Sequence, residues 1–278
     1  DLIATSKGKN RHAIQQGYTY TPMDITQAHE IATIINTYKP DIVIHTAAIT
    51  NVDICHTEPE LCWQVNVTAV AYLIDACRKA NAKLIHLSTD FIFDGKSGPY
   101  TEEAEPNPLS YYGQSKWAAE QLIMQSGIKW VILRTILVYG VVKDLSRSNI
   151  VLWAKAALQK GETINVVNDQ WRTPTLAEDL ATICLLAVQK NAQGVYNASG
   201  ENMLSILELV QAVADFYSLD KSLIQPITSA SLNQAAIRPA KTGFILDKAV
   251  ADLGYTPHTF TQGLKIMDKQ WKELNKNV

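Results

Sequence analysis

A tyrosine placed four residues before a lysine puts a phenol and an ammonium on one face of a helix. The ammonium can stabilise a phenolate and draw the tyrosine pKa down from about 10, which makes the pair a proton donor near neutral pH. The chain has 11 tyrosines, and the spacing occurs three times, at Tyr112/Lys116, Tyr139/Lys143 and Tyr217/Lys221. Tyr139 follows a β-rich run from Trp130 to Val138 and precedes Gly140, so it is not expected to share a helix with Lys143. Tyr217 closes an amphipathic stretch, with Ser218 and Asp220 beyond it, and reads as a solvated helix end. Tyr112 opens a helical stretch that runs through Lys116 to Glu120, and it follows Ser88, Thr89 and Asp90 at the end of a buried run. This pair alone has a hydroxyl at the expected cleft, so Thr89, Tyr112 and Lys116 are the expected catalytic set.

The elements that must position these groups alternate regularly. Strands are expected at Leu2–Thr5, Asp41–Thr46, Lys83–Ser88, Lys129–Thr135, Thr163–Val167 and Val195–Ala198. Helices are expected near Thr26–Tyr38, Glu58–Ala80, Tyr111–Gln125, Asn149–Lys160, Thr175–Gln189 and Leu204–Tyr217. The runs at Asp41–Thr46 and Lys83–Ser88 are apolar on both alternating faces, as suits strands covered by helices on both sides of a parallel sheet. The pattern is a doubly wound α/β fold. After about residue 200 it gives way to helices, a strand candidate at Leu223–Gln225 and loops, which implies a small mixed C-terminal lobe. A C-terminal helix at Phe260–Leu274, with Leu264, Met267 and Trp271 at helical spacing, is expected to pack into the core.

In doubly wound folds a glycine-rich turn after the first strand cradles a pyrophosphate. No G-x-G-x-x-G or G-x-x-G-x-x-G occurs here, and the sequence starts at Asp1. If Leu2–Thr5 is the second strand, the central strand lies elsewhere. The expectation is that about 25–30 residues, comprising a strand, a glycine-rich loop and a helix, precede Asp1 in the natural protein.

Composition limits the alternatives. A net charge of -2 with 25 dispersed basic residues offers no footprint for nucleic acid or an anionic membrane surface. No apolar run approaches the ~18 residues of a membrane span, and the N-terminal residues lack signal-peptide character, so a cytoplasmic location is expected. Cys55, Cys62, Cys77 and Cys184 follow no metal or redox spacing and are read as buried reduced thiols. His45 and His86 fall in buried runs and read as core residues, whereas His12, His29, His56 and His258 form no metal spacing, so no metal site is expected.

Across nearly its whole length the chain resembles the extended short-chain dehydrogenase/reductases and, within them, the dTDP-4-dehydrorhamnose reductase group. The matching segments are Ala47 to Asp53, Val65-Asn66, Ser88 to Gly95, Tyr112 to Lys116, Arg134-Thr135 with Tyr139-Gly140, Asp169-Gln170 with Pro174-Thr175, Asp179 to Ala181, and Arg238-Pro239. The resemblance implies a Rossmann-type cofactor domain over 1–165 and about 175–200, with a small substrate-binding lobe over about 166–174 and 201–278. It implies reduction of the C4 carbonyl of a nucleotide-linked deoxy sugar, most specifically dTDP-4-dehydrorhamnose to dTDP-rhamnose. Tyr112 would protonate the developing alkoxide, Thr89 would hydrogen-bond the carbonyl oxygen, Lys116 would hold the nicotinamide ribose, and Asn66 would support the site. Asp24 and Ile25 would border the adenine, and Thr46, Ala47 and Ala48 would pass under the pyrophosphate and ribose, with Thr50, Ser88 and Thr135 also on the cofactor side. Asp90, Phe91, Leu137, Asn149, Arg172 and Arg238 would face the substrate.

Cofactor choice is read at the end of the second strand, where an acid would accept the ribose hydroxyls of NAD and repel a 2′-phosphate. This chain has Ser6 and Lys7 there, with Arg11 four residues on and no acid. NADPH is therefore favoured and NADH left open, and a plain solvated basic loop is the competing reading.

Two features depart from the rhamnose-forming pattern. Leu137 stands where a tryptophan is usual, and Trp171, Arg172 and Thr173 replace a glycine-containing segment. Arg172 could meet a substrate diphosphate or cap a surface carboxylate. A dehydratase is disfavoured because Phe91 occupies the position of its usual glutamate, and an epimerase because the basic loop does not suit NAD. A regulatory subunit on the same fold also stays open, since Gln170 to Thr175 resembles a segment of the β subunit of methionine adenosyltransferase. The partner expected is a nucleotide sugar, and a homodimer is compatible with the sequence. Some relatives use Mg²⁺ at a dimer contact, but no carboxylates for it are apparent.

Overall fold

Aliphatic, β-branched runs build the centre of the molecule. In the computed structural model, which describes residues 1–12, 14–142, 149–232 and 234–276, four parallel strands form one sheet. They are β3 (Ile42–His45), β4 (Lys83–Thr89), β5 (Trp130–Thr135) and β10 (Gly194–Ala198), in the order β10-β5-β4-β3. Alternation along β4 and β5 feeds two cores. Leu84 and Ile132 pack with Val70, Ile74, Ala119 and Ile123 of α4 (Ala69–Ala80) and α5 (Tyr111–Met124). Ile85, Val131 and Leu133 pack on the other face with Ile183, Cys184 and Ala187 of α7 (Ala177–Gln189) and with Ala249 and Leu253 of α9 (Asp247–Leu253). The sheet is therefore covered on both sides, as a doubly wound α/β fold requires.

A second parallel pair, β1 (Ile3–Ser6) with β2 (Thr19–Pro22), stands apart from that sheet. Residues of β1 and β3 line opposite sides of a single cleft of about 660 Å³. Among the described residues β3 ends the four-stranded sheet, with Ile42 packed against the core on one face and Val43 on the other, while Ile44 is 41% exposed beside the cleft. Helix α1 (Ala28–Tyr38) closes its own side by packing Ile31 and Ile35 against Leu73 and Ala76 of α4.

The helix expected over Glu58–Ala80 is interrupted. After α2 (Val52–Thr57) come α3 (Pro59–Trp63), a π-helical turn at Gln64–Thr68, and α4. Such turns shift the inward-facing register by one residue, and here the turn carries the buried Asn66.

Beyond the sheet, α6 (Ile150–Gln159), β7 (Ile164–Val167), α8 (Ile206–Tyr217) and α10 (Phe260–Lys276) share a separate apolar core. It includes Val151, Leu209, Val213, Leu264 and Met267, with Trp271 packed against it. The C-terminal helix is thus core packing, as its spacing implies. Strand β7 pairs with β12 (Ile224–Ile227), a short parallel pair outside the main sheet. Shorter pairings complete the connections: β6 (Val138–Tyr139) with β9 (Thr175–Leu176), and β8 (Trp171–Arg172) with β11 (Leu204–Ser205), while Tyr100 bridges Phe244. Among the described residues, no helix is long and apolar enough to cross a membrane.

Candidate active site

Strand β4 delivers Thr89 to its carboxyl end, where the chain turns at once. The Thr89 hydroxyl accepts a hydrogen bond from the Phe91 amide at 3.2 Å and caps a short 3₁₀ turn over Asp90–Ile92. Helix α5 abuts that turn closely, because a side chain at Gly113 would collide with the Phe91 carbonyl oxygen. Ser110 caps α5 by accepting from the Gly113 amide at 3.2 Å. The close approach sets the buried Tyr112 edge-on to the Phe91 ring, 5.7 Å between centroids.

Lys116, one turn along α5, is buried. Its Nζ donates to the Leu87 carbonyl at 2.8 Å and to His86 Nε2 at 3.0 Å. Burial, with a smaller contribution from the Lys116 charge, keeps His86 neutral far below its ordinary range, so it can accept this bond. Burial also pulls Lys116 down to about 8, against the opposing pull of Glu120. The His45 ring lies 5.1 Å from that of His86 and is held down to about 3 by burial and Lys116. Both imidazoles are core residues, as expected, yet His45 Nε2 and His86 Nδ1 have no hydrogen-bond partner among the described residues.

The Tyr112 phenol departs from expectation. Burial pushes its pKa up, and the nearby Asp90 adds to this, while a hydrogen bond from Thr89 pulls the other way. The Lys116 ammonium, committed to His86 and Leu87, does not draw it down. Neither Tyr139 nor Tyr217 is among the described residues that line the space beside Tyr112. Tyr139 is a core residue in β6, and Lys143 lies outside the described residues. Lys221 pairs with Asp215 at 2.6 Å rather than with Tyr217, whose ring receives Lys155 Nζ at 3.9 Å.

Thr89, Asp90, Phe91, Tyr112 and Lys116 line a cavity of about 570 Å³ together with Thr50, Ser88, Thr135, Leu137, Arg172 and Arg238. Thr46 and Ala48 line both this cavity and the cleft between β1 and β3. Ser6, Lys7, Arg11, Asp24, Ile25 and Ala47 line the cleft. Ser88 Oγ is buried and unpartnered beside the cavity. Leu137 holds a φ of 41°, a left-handed conformation unfavourable for a branched side chain, at the cavity wall.

Two residues of the expected set stand behind the site. Asn66 accepts from the Ile49 amide at 2.9 Å and donates to the Ile49 carbonyl at 3.0 Å and to Ser115 Oγ at 3.1 Å, pinning the loop after β3 to α5. Asn149 caps α6, accepting from the Val151 and Leu152 amides and donating to the Gly140 carbonyl at 2.8 Å, and is not among the residues lining either cavity.

Arg172 does not cap a surface carboxylate. It is buried, with Nε 3.7 Å from the equally buried Asp90. Its Nη atoms donate to the carbonyls of Trp171, Pro239 and Ala240. Burial raises the Asp90 carboxyl, while Arg172 and the Thr242 hydroxyl oppose that rise. Arg238 pairs with Asp53 at 2.7 Å, and the Asp53 carboxylate is 40% exposed. The contacts of His86, Ser115 and Thr242 were not foreseen. His86 could have been suspected, since it stands two residues before Ser88 on one strand face.

The sequence profile described as the RmlD substrate binding domain matches residues 1–272. Methionine adenosyltransferase 2 subunit beta from Xenopus laevis is 29% identical over 284 residues, covering 96% of this chain and 84% of that protein. A dTDP-4-dehydrorhamnose reductase from Aggregatibacter actinomycetemcomitans is 31% identical over 258 residues, covering 88% and 86%. Among solved structures, the Bacillus anthracis dTDP-4-dehydrorhamnose reductase in complex with NADP superposes with a TM-score of 0.87 at 24% identity, covering 97% of this chain and 99% of that one.

Proposed function

The chain belongs to the RmlD substrate-binding-domain family, and on that premise we propose that it is an NADPH-dependent reductase of the 4-keto group of a nucleotide-linked deoxy sugar, with dTDP-4-dehydrorhamnose as the first substrate to test. The observation that carries the reading is the convergence of Thr89, Tyr112 and Lys116 in one cavity that shares Thr46 and Ala48 with the cleft between β1 and β3. A dinucleotide is an elongated ligand with two ends. The cleft offers Lys7 and Arg11 to its adenosine phosphate, and the cavity offers Lys116 and the unpartnered Ser88 hydroxyl to its ribose. NADH remains an acceptable donor in this reading.

A nicotinamide held beside Lys116 and Ser88 would supply the hydride. Thr89, on a strand end fixed by its cap, donates a hydrogen bond to the substrate carbonyl oxygen and favours charge developing there. The raised pKa of Tyr112 keeps its proton in place until an alkoxide forms, and Tyr112 then delivers it. Lys116, anchored by His86 and Leu87, holds the ribose and places positive charge beside the transfer. Arg238 faces the substrate diphosphate. The three carbonyl contacts of Arg172 make it the wall that holds Asp90 in place. The segments about 166–174 and 201–278 act as the substrate lobe against a cofactor domain of 1–165 and about 175–200, in a cytoplasmic protein.

A second reading is favoured by the 29% identity to methionine adenosyltransferase β subunits: a regulatory subunit that keeps the cofactor cleft. Sugar-nucleotide dehydratase chemistry fits less well, since Phe91 brings no carboxyl to the site, and epimerase chemistry fits less well, since the basic loop at Lys7 and Arg11 does not suit NAD. The test is NADPH oxidation by the full chain with dTDP-4-dehydrorhamnose and a panel of other nucleotide keto sugars. Turnover on one of them is expected. Cofactor binding without turnover on any would favour the regulatory reading.

A further inference from the structure

Behind the Tyr112 cavity two cysteines meet. Cys55 on α2 and Cys62 on α3 are fully buried, and their sulfurs are 2.7 Å apart. That is inside the contact distance of unbonded sulfurs and about 0.65 Å beyond the ~2.05 Å of a disulfide. In one continuous helix, residues seven apart stand about 10.5 Å apart along the axis. Here the helix breaks at Glu58 (φ -126°, ψ 63°) and restarts at Pro59, and that break folds the two thiols together.

The two sulfurs are not equivalent. Cys62 is held down to about 7, first by its hydrogen bond with Cys55 and then by Ser115, Asn66 and the Lys116 charge, against the opposing effect of burial. Asn66 Nδ2 lies 3.4 Å and Ser115 Oγ 3.5 Å from its sulfur. The same contact pushes Cys55 up. Burial alone holds Cys77 at about 12 and Cys184 at about 11, and neither has a thiol neighbour among the described residues.

We propose that Cys55 and Cys62 form a reversible dithiol–disulfide site whose oxidant is a small hydroperoxide. The Cys62 thiolate attacks the peroxide, the O–O bond breaks, and a Cys62 sulfenic acid forms as hydroxide or alkoxide leaves and takes up a proton. The Cys55 sulfur then attacks the Cys62 sulfur. An S–S bond forms, the S–O bond breaks, and water departs with the Cys55 proton. Two thiols and one hydroperoxide thus give one disulfide, one alcohol or water, and one water. Full burial limits the oxidant to a small molecule. The Ile49 carbonyl lies 3.7 Å from Cys55 Sγ, and Ile49 also lines the β1/β3 cleft, which brings that cleft close to the pair.

No lysine or arginine lies between Cys55 and Arg78, so trypsin leaves Cys55, Cys62 and Cys77 in one peptide. The full chain is exposed to a modest excess of hydrogen peroxide, alkylated under denaturing conditions and digested without reductant. The expected product is that peptide lighter by two hydrogens and carrying a single alkyl group, placed on Cys77 by fragmentation, with Cys184 alkylated on its own peptide and the change reversed by dithiothreitol. Oxidised glutathione in place of peroxide should leave all four thiols alkylatable. A Cys55→Ser variant should stop at a sulfenic acid on Cys62 that dimedone traps, and a Cys77→Ala/Cys184→Ala variant should still cross-link. Full alkylation of Cys55 and Cys62 after peroxide, or their oxidation to sulfinic acids without a cross-link, would overturn the proposal. The wild-type measurement decides this whether or not the variants fold.

Discussion

At the end of β4 every group that could move a proton is dry: Tyr112, Lys116, His86 and Asp90 are all buried. At the tip of β1 the charges stand in water, and Lys7, whose side chain is 80% exposed, pairs with Asp24 at 2.7 Å. The spaces they line share Thr46 and Ala48, yet their physics differs. In the dry region burial dominates, moving Lys116 down and Tyr112 up, and every charge there needs a partner fixed by the fold. In the wet region the largest cause of each shift is a local hydrogen bond, and Asp24 is held at about 2 by Lys7 and Thr26. One end suits chemistry and the other suits reading a ligand's charge.

The largest expected effect belongs to the dry end. Tyr112→Phe removes only an oxygen from a packed ring and should lower kcat by roughly 10²–10⁴-fold with little change in fold. Steady-state kinetics beside a circular dichroism melt checks this. A variant that keeps wild-type turnover would remove Tyr112 from the chemistry and leave the dry end a mere core.

Next is the buried ion pair under the site. Arg134 Nη2 meets Glu120 at 2.8 Å with both side chains almost fully buried, and Arg134 Nη1 reaches the Glu102 carbonyl. Glu120→Ala leaves a guanidinium in a dry pocket and should cost about 3–5 kcal/mol in urea unfolding. An Arg134→Met/Glu120→Leu double variant should regain much of that loss, because it removes both charges.

Lys116 sharpens the contrast through pH. Burial lowers its folded pKa from 10.5 to about 8, so between those values the unfolded chain binds more protons. Its contribution is a penalty fully present below about pH 8 that shrinks as pH rises toward 10.5, on the order of a few kcal/mol. Urea unfolding at pH 7.5 and pH 10 should show Lys116→Met to be stabilised relative to wild type at the lower pH and less so at the higher. The same difference at both pH values would mean that Lys116 is solvated like Lys7.

How legible these regions were from sequence follows the same division. β4 and β5 were readable because aliphatic residues filling both alternating faces over six or seven positions, between turn-forming residues, suit a buried strand better than a helix. Tyr112 was readable because Ser88 and Thr89 end one of those runs. Strand β2 was missed because Thr19, Tyr20, Thr21 and Pro22 form a short polar run whose pairing depends on β1 alone. The π-helical turn holding Asn66 was hidden because one extra residue barely disturbs a helical pattern. The Lys116–His86 and Asp90–Thr242 contacts join residues 30 and 152 positions apart, and no local pattern carries them. The opposite signs of the Lys116 and Tyr112 shifts needed burial to be known residue by residue.

The smallest effects are expected at the wet end, where they also decide what that end reads. Asp24 already neutralises Lys7, so Arg11, exposed on the same cleft wall, is the cation left to meet a 2′-phosphate. Arg11→Ala should raise the KM for NADPH by roughly two- to tenfold, the scale of an exposed ion pair, and leave that for NADH unchanged. Lys7→Ala should act through its partner, because it strips the counter-charge from a carboxylate at the adenosine end and so shifts preference toward NADH. Asp24→Asn should do the reverse by releasing Lys7. All three effects should fade as salt rises, since exposed charges are screened within about 10 Å at 0.1 M. If the ratio of the two KM values is the same in all three variants as in the wild type, the basic loop reads nothing, and the division between a chemical end and a reading end fails at the wet side.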